Sequence, residues 1–300
     1  LMLLRGLAEG MSARITVLIL SFEDPHHTWE GVFRGVGIAL SRIFTPPEAK
    51  EIAQRRLLAD NKLEIVESKH EIAVLERGQH RAVVQRGTAE TSVVLSVDFR
   101  SDEQSAARIE AGKSISAAVA GIPELMRIVA ANLGAMVNVE FHAKFLSSSH
   151  VVLEDIGLVL GRALLEILKL RMTEYGINGA GSNLRQPEDL LAYNVHAAIS
   201  VEGRKFWRVI PETGDRAQMQ KLLIVGRDAI GGLRSEDLDD FIDGLCGGLS
   251  ASLMIYLRSY EPADTTWRGI FAAIGTALKE AFEVNPYRRG VPPGVKACLS

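Results

Sequence analysis

Cysteine is almost missing from this sequence, which has only Cys246 and Cys298. Two thiols lay out no disulfide framework, so a small secreted scaffold held by cross-links is excluded and a reducing cytoplasm is the expected setting. Long apolar runs are missing too, since no stretch approaches the roughly 20 residues that cross a bilayer as a helix. Neither sign of charge dominates: 34 Lys and Arg face 37 Asp and Glu, a net charge of -3. That balance gives no reason to expect nucleic acid or an anionic membrane surface as partner. Leu1-Met2-Leu3-Leu4 supplies neither an initiator Met nor a basic segment with a cleavage site. What remains, 47% hydrophobic and 24% charged over 300 residues, is enough for one large or two medium globular domains.

The rest of the chain is organised around the stretch from Asp24 to Leu40, which opens Asp24-Pro25-His26-His27-Thr28-Trp29-Glu30 and runs into an apolar helical pattern. His26 and Glu30 are four apart and share a helix face, while His27 points about 100° away. An imidazole and a carboxylate at this spacing are ligand chemistry for a divalent metal. The same residues also suit a solvated helix start, and the spacing alone leaves both readings open.

The stretch recurs. Shifted by 238 positions, Leu3–Phe44 falls on Phe241–Phe282 without a gap. Gly6/Gly244, Leu7/Leu245, Gly10/Gly248, Trp29/Trp267, Phe33/Phe271, Gly37/Gly275, Leu40/Leu278 and Phe44/Phe282 are among the positions that match. A fainter echo at an offset of 124 puts His150 on His26, Glu154 on Glu30 and Gly161 on Gly37. One strand-then-helix unit therefore occurs three times, and its donor set decays: His26, His27 and Glu30 become His150, Val151 and Glu154, then Asp264, Thr265 and Arg268. Because the first repeat begins in mid-unit, an N-terminally truncated piece of something longer is expected.

Taken in order, the periodicity predicts a helix over 3–13, a buried strand over 14–21, a helix over 28–44 ended by Pro46-Pro47, and a linker rich in helix formers to about Glu76. Strands are expected at 80–85, 92–99 and 136–145, and helices at 114–133 and 151–172. Residues 191–200 and 205–210 read as a hairpin. A helix over 235–252, a strand over 253–259, a helix over 265–283 and a basic tail complete the chain. Strands and helices mix without a βαβ rhythm, which points to an α+β fold. Lone His142 and His196 on alternating strands, and the Trp29/Trp267 match, read as structural.

The motifs together resemble the imidazoleglycerol-phosphate dehydratase family. Arg86, Thr88, Glu90 and Thr91 match its opening Arg-x-Thr-x-Glu-Thr. Ser149-His150-Val151-Val152-Leu153-Glu154-Asp155 with Gly161-Arg162-Ala163-Leu164 matches its first metal motif and following helix. Glu202-Gly203-Arg204 stands for its Ser-Gly-Arg turn, and Pro293-Gly294-Val295-Lys296 for its closing Pro-Ser-x-Lys. Its second metal motif is intact only as His26-His27-Thr28-Trp29-Glu30. On this resemblance, residues 80–300 form the domain, 1–45 are the C-terminal half-repeat of a preceding copy, and 46–79 are a linker with helical character.

The resemblance implies an α+β fold of duplicated half-domains, about 80–175 and 190–300. Each would be a small, mostly antiparallel sheet with helices on one face, as in the second domain of a ribosomal small-subunit protein. It implies a cytoplasmic homo-oligomer with shared active sites and Mn2+ bound by His26, His27, Glu30, His150 and Glu154. It implies imidazole glycerol phosphate, an intermediate of histidine biosynthesis, as the substrate that loses water. Glu30 and Glu154 would move protons, Arg204 and Lys296 would grip phosphate, and Glu90 would lie near the substrate. Against this, further ligand positions of the family fall on Leu125, Leu133 and either Leu18 or Tyr256; other motif positions fall on Gly179, Leu190 and Gly294. Leucine ligates no metal, so a catalytically degenerate paralogue, kept as a structural or regulatory partner, is the alternative expectation.

Overall fold

The computed structural model describes residues 2–19, 25–49, 51, 72–88, 91–101, 104–110, 116–143, 149–184, 189–212 and 215–293, without the side chains of residues 25–27, 30, 190 and 191. The chain divides into two compact units, Leu1–Glu67 and Ser68–Ser300.

In the larger unit, alternation of apolar and polar residues builds two sheets. The first runs β1-β2-β3-β5-β4 across its width, which in that spatial order is Ile72–Arg77, Arg81–Gly87, Thr91–Asp98, Met136–Ala143 and Ala106–Glu110. Thr91, Val93, Leu95 and Val97 of β3 turn inward and their neighbours outward, the period-2 pattern of a half-buried strand. The second sheet, in the order β6-β7-β11-β8, contains Ala180–Ser182, Val195–Val201, Ala251–Leu257 and Phe206–Pro211, and β9 (Asp228–Ala229) pairs with β10 (Leu233–Arg234) as a separate two-stranded ribbon. The orders β2-β3-β5-β4 and β6-β7-β11-β8 correspond strand for strand. In each, the first two pairings are antiparallel and the last, β5 with β4 or β11 with β8, is parallel. The unit is thus α+β, made of two halves with one topology.

Parallel neighbours need a crossover, and each half has a helix there: α3 (Ile122–Leu133) in the first and α5 (Ser235–Leu249) in the second. A second helix follows the central strand in each half, α4 (His150–Glu174) and α6 (Ala263–Ala281). α4 packs on β2 and β3 with one face and along α5 with another, and α6 packs on β6 and β7 and against α3. The halves therefore meet helix to helix, between the sheets. Lying between two layers explains why α4 is apolar nearly all round. Glycine sets how closely α4 and α5 approach: a Cβ on Gly157 would lie 2.2 Å from the Phe241 carbonyl oxygen, and one on Gly248 2.0 Å from that of Leu158. At the centre Trp267 stacks on Phe271, and Phe271 meets Phe241 edge to face, all three fully buried, each contributing roughly 2–3 kcal/mol by burial.

Several expectations are corrected. β7 and β8 are not a hairpin, because β11 lies between them and pairs with both. β11 has the inward face Leu253, Ile255 and Leu257, which fits a central strand better than an edge. Ile72–Arg77, read as the end of a helical linker, forms edge strand β1, and its Arg77 reaches the fully buried Glu166 of α4 at 2.5 Å. Pro123 does not sit mid-helix. α3 starts around it, where a missing N–H costs nothing. Most of the expected linker, 52–71, lies outside the described residues.

The smaller unit contains α1 (Met2–Gly10) and α2 (Pro25–Phe44). The strand expected over 14–21 is absent from its described part, where 14–19 form no regular structure. Its counterpart β11 is a strand because β7 and β8 flank it with hydrogen bonds. Side chains that are core in the larger unit lie open in this one: Trp29 is 40% exposed against 0% for Trp267, and Phe44 66% against 3% for Phe282.

Candidate functional site

The heads of helices α4 and α5 come together at the seam between the halves. Ser149, the residue before α4, donates its hydroxyl proton to Asp237 in the first turn of α5, and both are buried. Nearly two turns further along α4, Asp155 is buried to 2% exposure. Its Oδ2 accepts from the Thr91 hydroxyl at 2.8 Å, and its other oxygen pairs with Arg86. The Thr88 and Thr91 hydroxyls are 2.8 Å apart, and Thr88 Oγ1 accepts the Thr91 amide N–H at 2.9 Å. Thr88 and Thr91 of the Arg-x-Thr-x-Glu-Thr motif thus close the turn between β2 and β3, and Arg86 and Thr91 bind Asp155. A buried carboxylate needs such donors and a counter-charge. Sequence reading finds the motif but not its target; the signal is the acidic residue directly after Glu154.

This bracing fixes the helix start that presents His150, half-buried at the first residue of α4, and Glu154, exposed one turn later. The two share a face, as the spacing predicts. The other candidates are not gathered around them. Arg204 is exposed in the loop after β7, its guanidinium on Glu202 Oε1 at 2.9 Å and its amide on the Ser250 carbonyl at 3.2 Å. Ser250 follows the last residue of α5, whereas Asp237 and Ser149 lie at its head, about 20 Å of helix away. Glu90 and Lys296 lie outside the described residues. His26, His27 and Glu30 lie on the first turns of α2, and their side chains are outside the described set.

The second half carries the corresponding seam at the heads of α3 and α6. Asp264 and Arg268 take the places of His150 and Glu154. Arg268 Nε donates to Asp264 Oδ2 at 2.7 Å, and Nη1 donates to Glu124 Oε1 at 2.7 Å. The other Asp264 oxygen accepts the Ile230 amide at 2.7 Å. The hydrogen bond from Arg268, with the Ile230 amide and the Arg268 charge adding to it, holds the Asp264 carboxyl below its ordinary value. Glu124 is the third residue of α3 as Asp237 is of α5.

These side chains do not fit a pair of bound divalent ions. Among the described residues no three His, Cys, Asp or Glu side chains stand together as a metal cluster. Leu125 and Leu133, at expected ligand positions, are buried in the apolar core. Tyr256 stacks on His196 at 6.2 Å, and a ring nitrogen of His196 meets the Tyr193 carbonyl oxygen. Leu18 is 78% exposed.

Fold and seam define a class: α+β proteins of two like halves, with polar helix heads meeting between them. No family model matches the chain. It is similar to imidazoleglycerol-phosphate dehydratases of Streptococcus thermophilus (27% identical over 212 residues, 70% of this chain and 95% of the relative), Streptococcus sanguinis (25% over 211, 70% and 95%) and Leuconostoc mesenteroides (24% over 210, 70% and 94%). At about 25% identity over 70% of this chain, these relatives support its reading as a divergent form of the imidazoleglycerol-phosphate dehydratase family. Among solved structures, the Staphylococcus aureus dehydratase matches at a TM-score of 0.48 with 19% identity, covering 68% of this chain and 99% of that one. The Pyrococcus furiosus enzyme matches at 0.47 with 22% identity, covering 67% and 94%. No helix among the described residues is long and apolar enough to cross a membrane.

Proposed function

We propose that this chain takes part in the removal of water from imidazole glycerol phosphate, the substrate in its relatives' name. Curated relatives align over nearly their whole length, and the braced head of α4 carrying His150 and Glu154 is the observation that supports the reading. Glu154 is exposed, and its carboxylate can take a proton from a substrate carbon. His150 beside it can hold or return one. A bound divalent cation, toward which His150 and Glu154 offer two donors, would supply the electron sink that the imidazole ring needs. The larger unit's described donors do not seat two ions, so donors from a neighbouring copy in a homo-oligomer complete the set in this reading. Arg204 and Lys296 act there as phosphate grips from a neighbouring subunit.

A second reading rests on a specific observation, the loss of donors at Leu125, Leu133 and Arg268. In it, the larger unit is a catalytically degenerate paralogue that serves as a structural or regulatory partner. Metal analysis and turnover of the purified full chain separate the two. About two manganese ions per chain with release of the dehydrated product support the enzyme. No metal and no product support the second reading.

A further inference from the structure

The internal repeat raises the question of what stands at the second-half counterpart of His150 and Glu154. The answer is a cation built into the chain. Arg268 lies between Asp264 on its own helix and Glu124 on α3, with both contacts at 2.7 Å. The guanidinium is held charged by these two carboxylates, its pKa raised by the hydrogen bonds to both. Geometrically, it does what a divalent ion does between acidic side chains from two elements: it neutralises them and ties the helix heads together across the seam. The Ile230 amide fixes the remaining Asp264 oxygen, so this carboxylate has little capacity left for an incoming ion.

We propose that Arg268 is a fixed replacement for a metal ion, so that the second-half seam of this chain is closed to divalent cations and its junction is independent of metal. The charge arithmetic favours this: two carboxylates and one guanidinium leave one negative charge, shared over groups already hydrogen-bonded. A second cation in the same space would face Arg268 directly. Oxygen-ligated ions such as Mn2+ require several free carboxylate or carbonyl oxygens, and the guanidinium occupies that space. The inference stands on the repeat and the three side chains, so it does not depend on whether the chain turns over substrate.

The test is a Mn2+ titration of the full chain, with free ion read by electron paramagnetic resonance, on wild type, E124Q, D264N and R268E. Expected is one stoichiometry for wild type, E124Q and D264N, whatever its value. R268E, which sets a third carboxylate between Asp264 and Glu124, is expected to take up one further ion per chain and to show a Tm that rises with Mn2+ more than the wild-type Tm does. Loss of an ion in E124Q or D264N overturns the proposal, and so does a folded R268E that gains none. If R268E does not fold, as circular dichroism would report, the E124Q and D264N comparison decides alone. Wild-type stoichiometry and turnover bear on the proposed function, whereas differences between the variants bear on this inference, so the two fail separately.

Discussion

Asp155→Asn is the perturbation that probes the braced helix head most sharply. The amide keeps the size of the side chain and an oxygen for the Thr91 hydroxyl, but it removes the charge facing Arg86. Breaking a buried ion pair on one side costs about 3–5 kcal/mol. The Arg86 side chain is 23% exposed, so water recovers part of that, and about 2–3 kcal/mol is expected. In a domain of this size each kcal/mol moves the midpoint by about 2–4 °C, so the unfolding transition of the larger unit falls by roughly 4–12 °C. Circular dichroism at pH 7 on wild type, D155N, R86Q and the double variant measures it. The double variant should lose less than the two single losses combined, with a coupling of about 1–2 kcal/mol. Strictly additive losses, or a D155N variant within about 0.5 kcal/mol of wild type, would refute the claim that this pair holds the head of α4.

Further outcomes follow from the same geometry. Gly248→Ala forces a Cβ against the Leu158 carbonyl oxygen and should cost about 1–3 kcal/mol, read by urea denaturation, whereas Gly226→Ala in open space should cost less through its positive φ alone. Arg268 holds the Asp264 carboxyl below its ordinary 3.8. That contribution is complete above the unfolded value and is lost as pH falls through the lower folded one, so D264N should show a flatter acid limb of stability than wild type below about pH 4. Burial, with the Asp243 charge adding to it, pushes the Cys246 thiol up to about 12. With Cys298 replaced by Ser, native chain at pH 8 should therefore react with a thiol reagent at least about a hundredfold more slowly than unfolded chain. Glu166→Gln leaves Arg77, Arg162 and Lys169 without their shared counter-charge and should loosen β1, seen as faster amide exchange in that strand.

Much of this molecule is legible in its residues, for identifiable reasons. The repeat announces itself because Gly244, Gly248, Trp267 and Phe271 sit at close-packed positions, and the same spacing recurs at Gly6, Gly10, Trp29 and Phe33. The paired sheets are harder. β7 and β8 look like a hairpin because they are adjacent in sequence, and only tertiary pairing places β11 between them. β4 (Ala106–Glu110) is a parallel edge strand too short, at 5 residues, for its alternation to stand out, and β1 is built of residues that also favour helix. For the candidate site, the substitution at Arg268 is visible through the repeat. Its partner Glu124 is not, since 144 residues separate them and only the fold brings them together. Asp155 is easily overlooked beside the more reactive-looking Glu154, although the hydrogen bonds converge on Asp155.

If this chain works on imidazole glycerol phosphate, the compound binds at the seam bearing His150 and Glu154. Isothermal titration calorimetry of the full chain with that compound, in the presence of Mn2+, measures this directly. Binding to wild type that weakens at least tenfold in E154Q, about 1.4 kcal/mol, is the predicted result. No binding to wild type, or binding that E154Q and H150A leave unchanged, would contradict it.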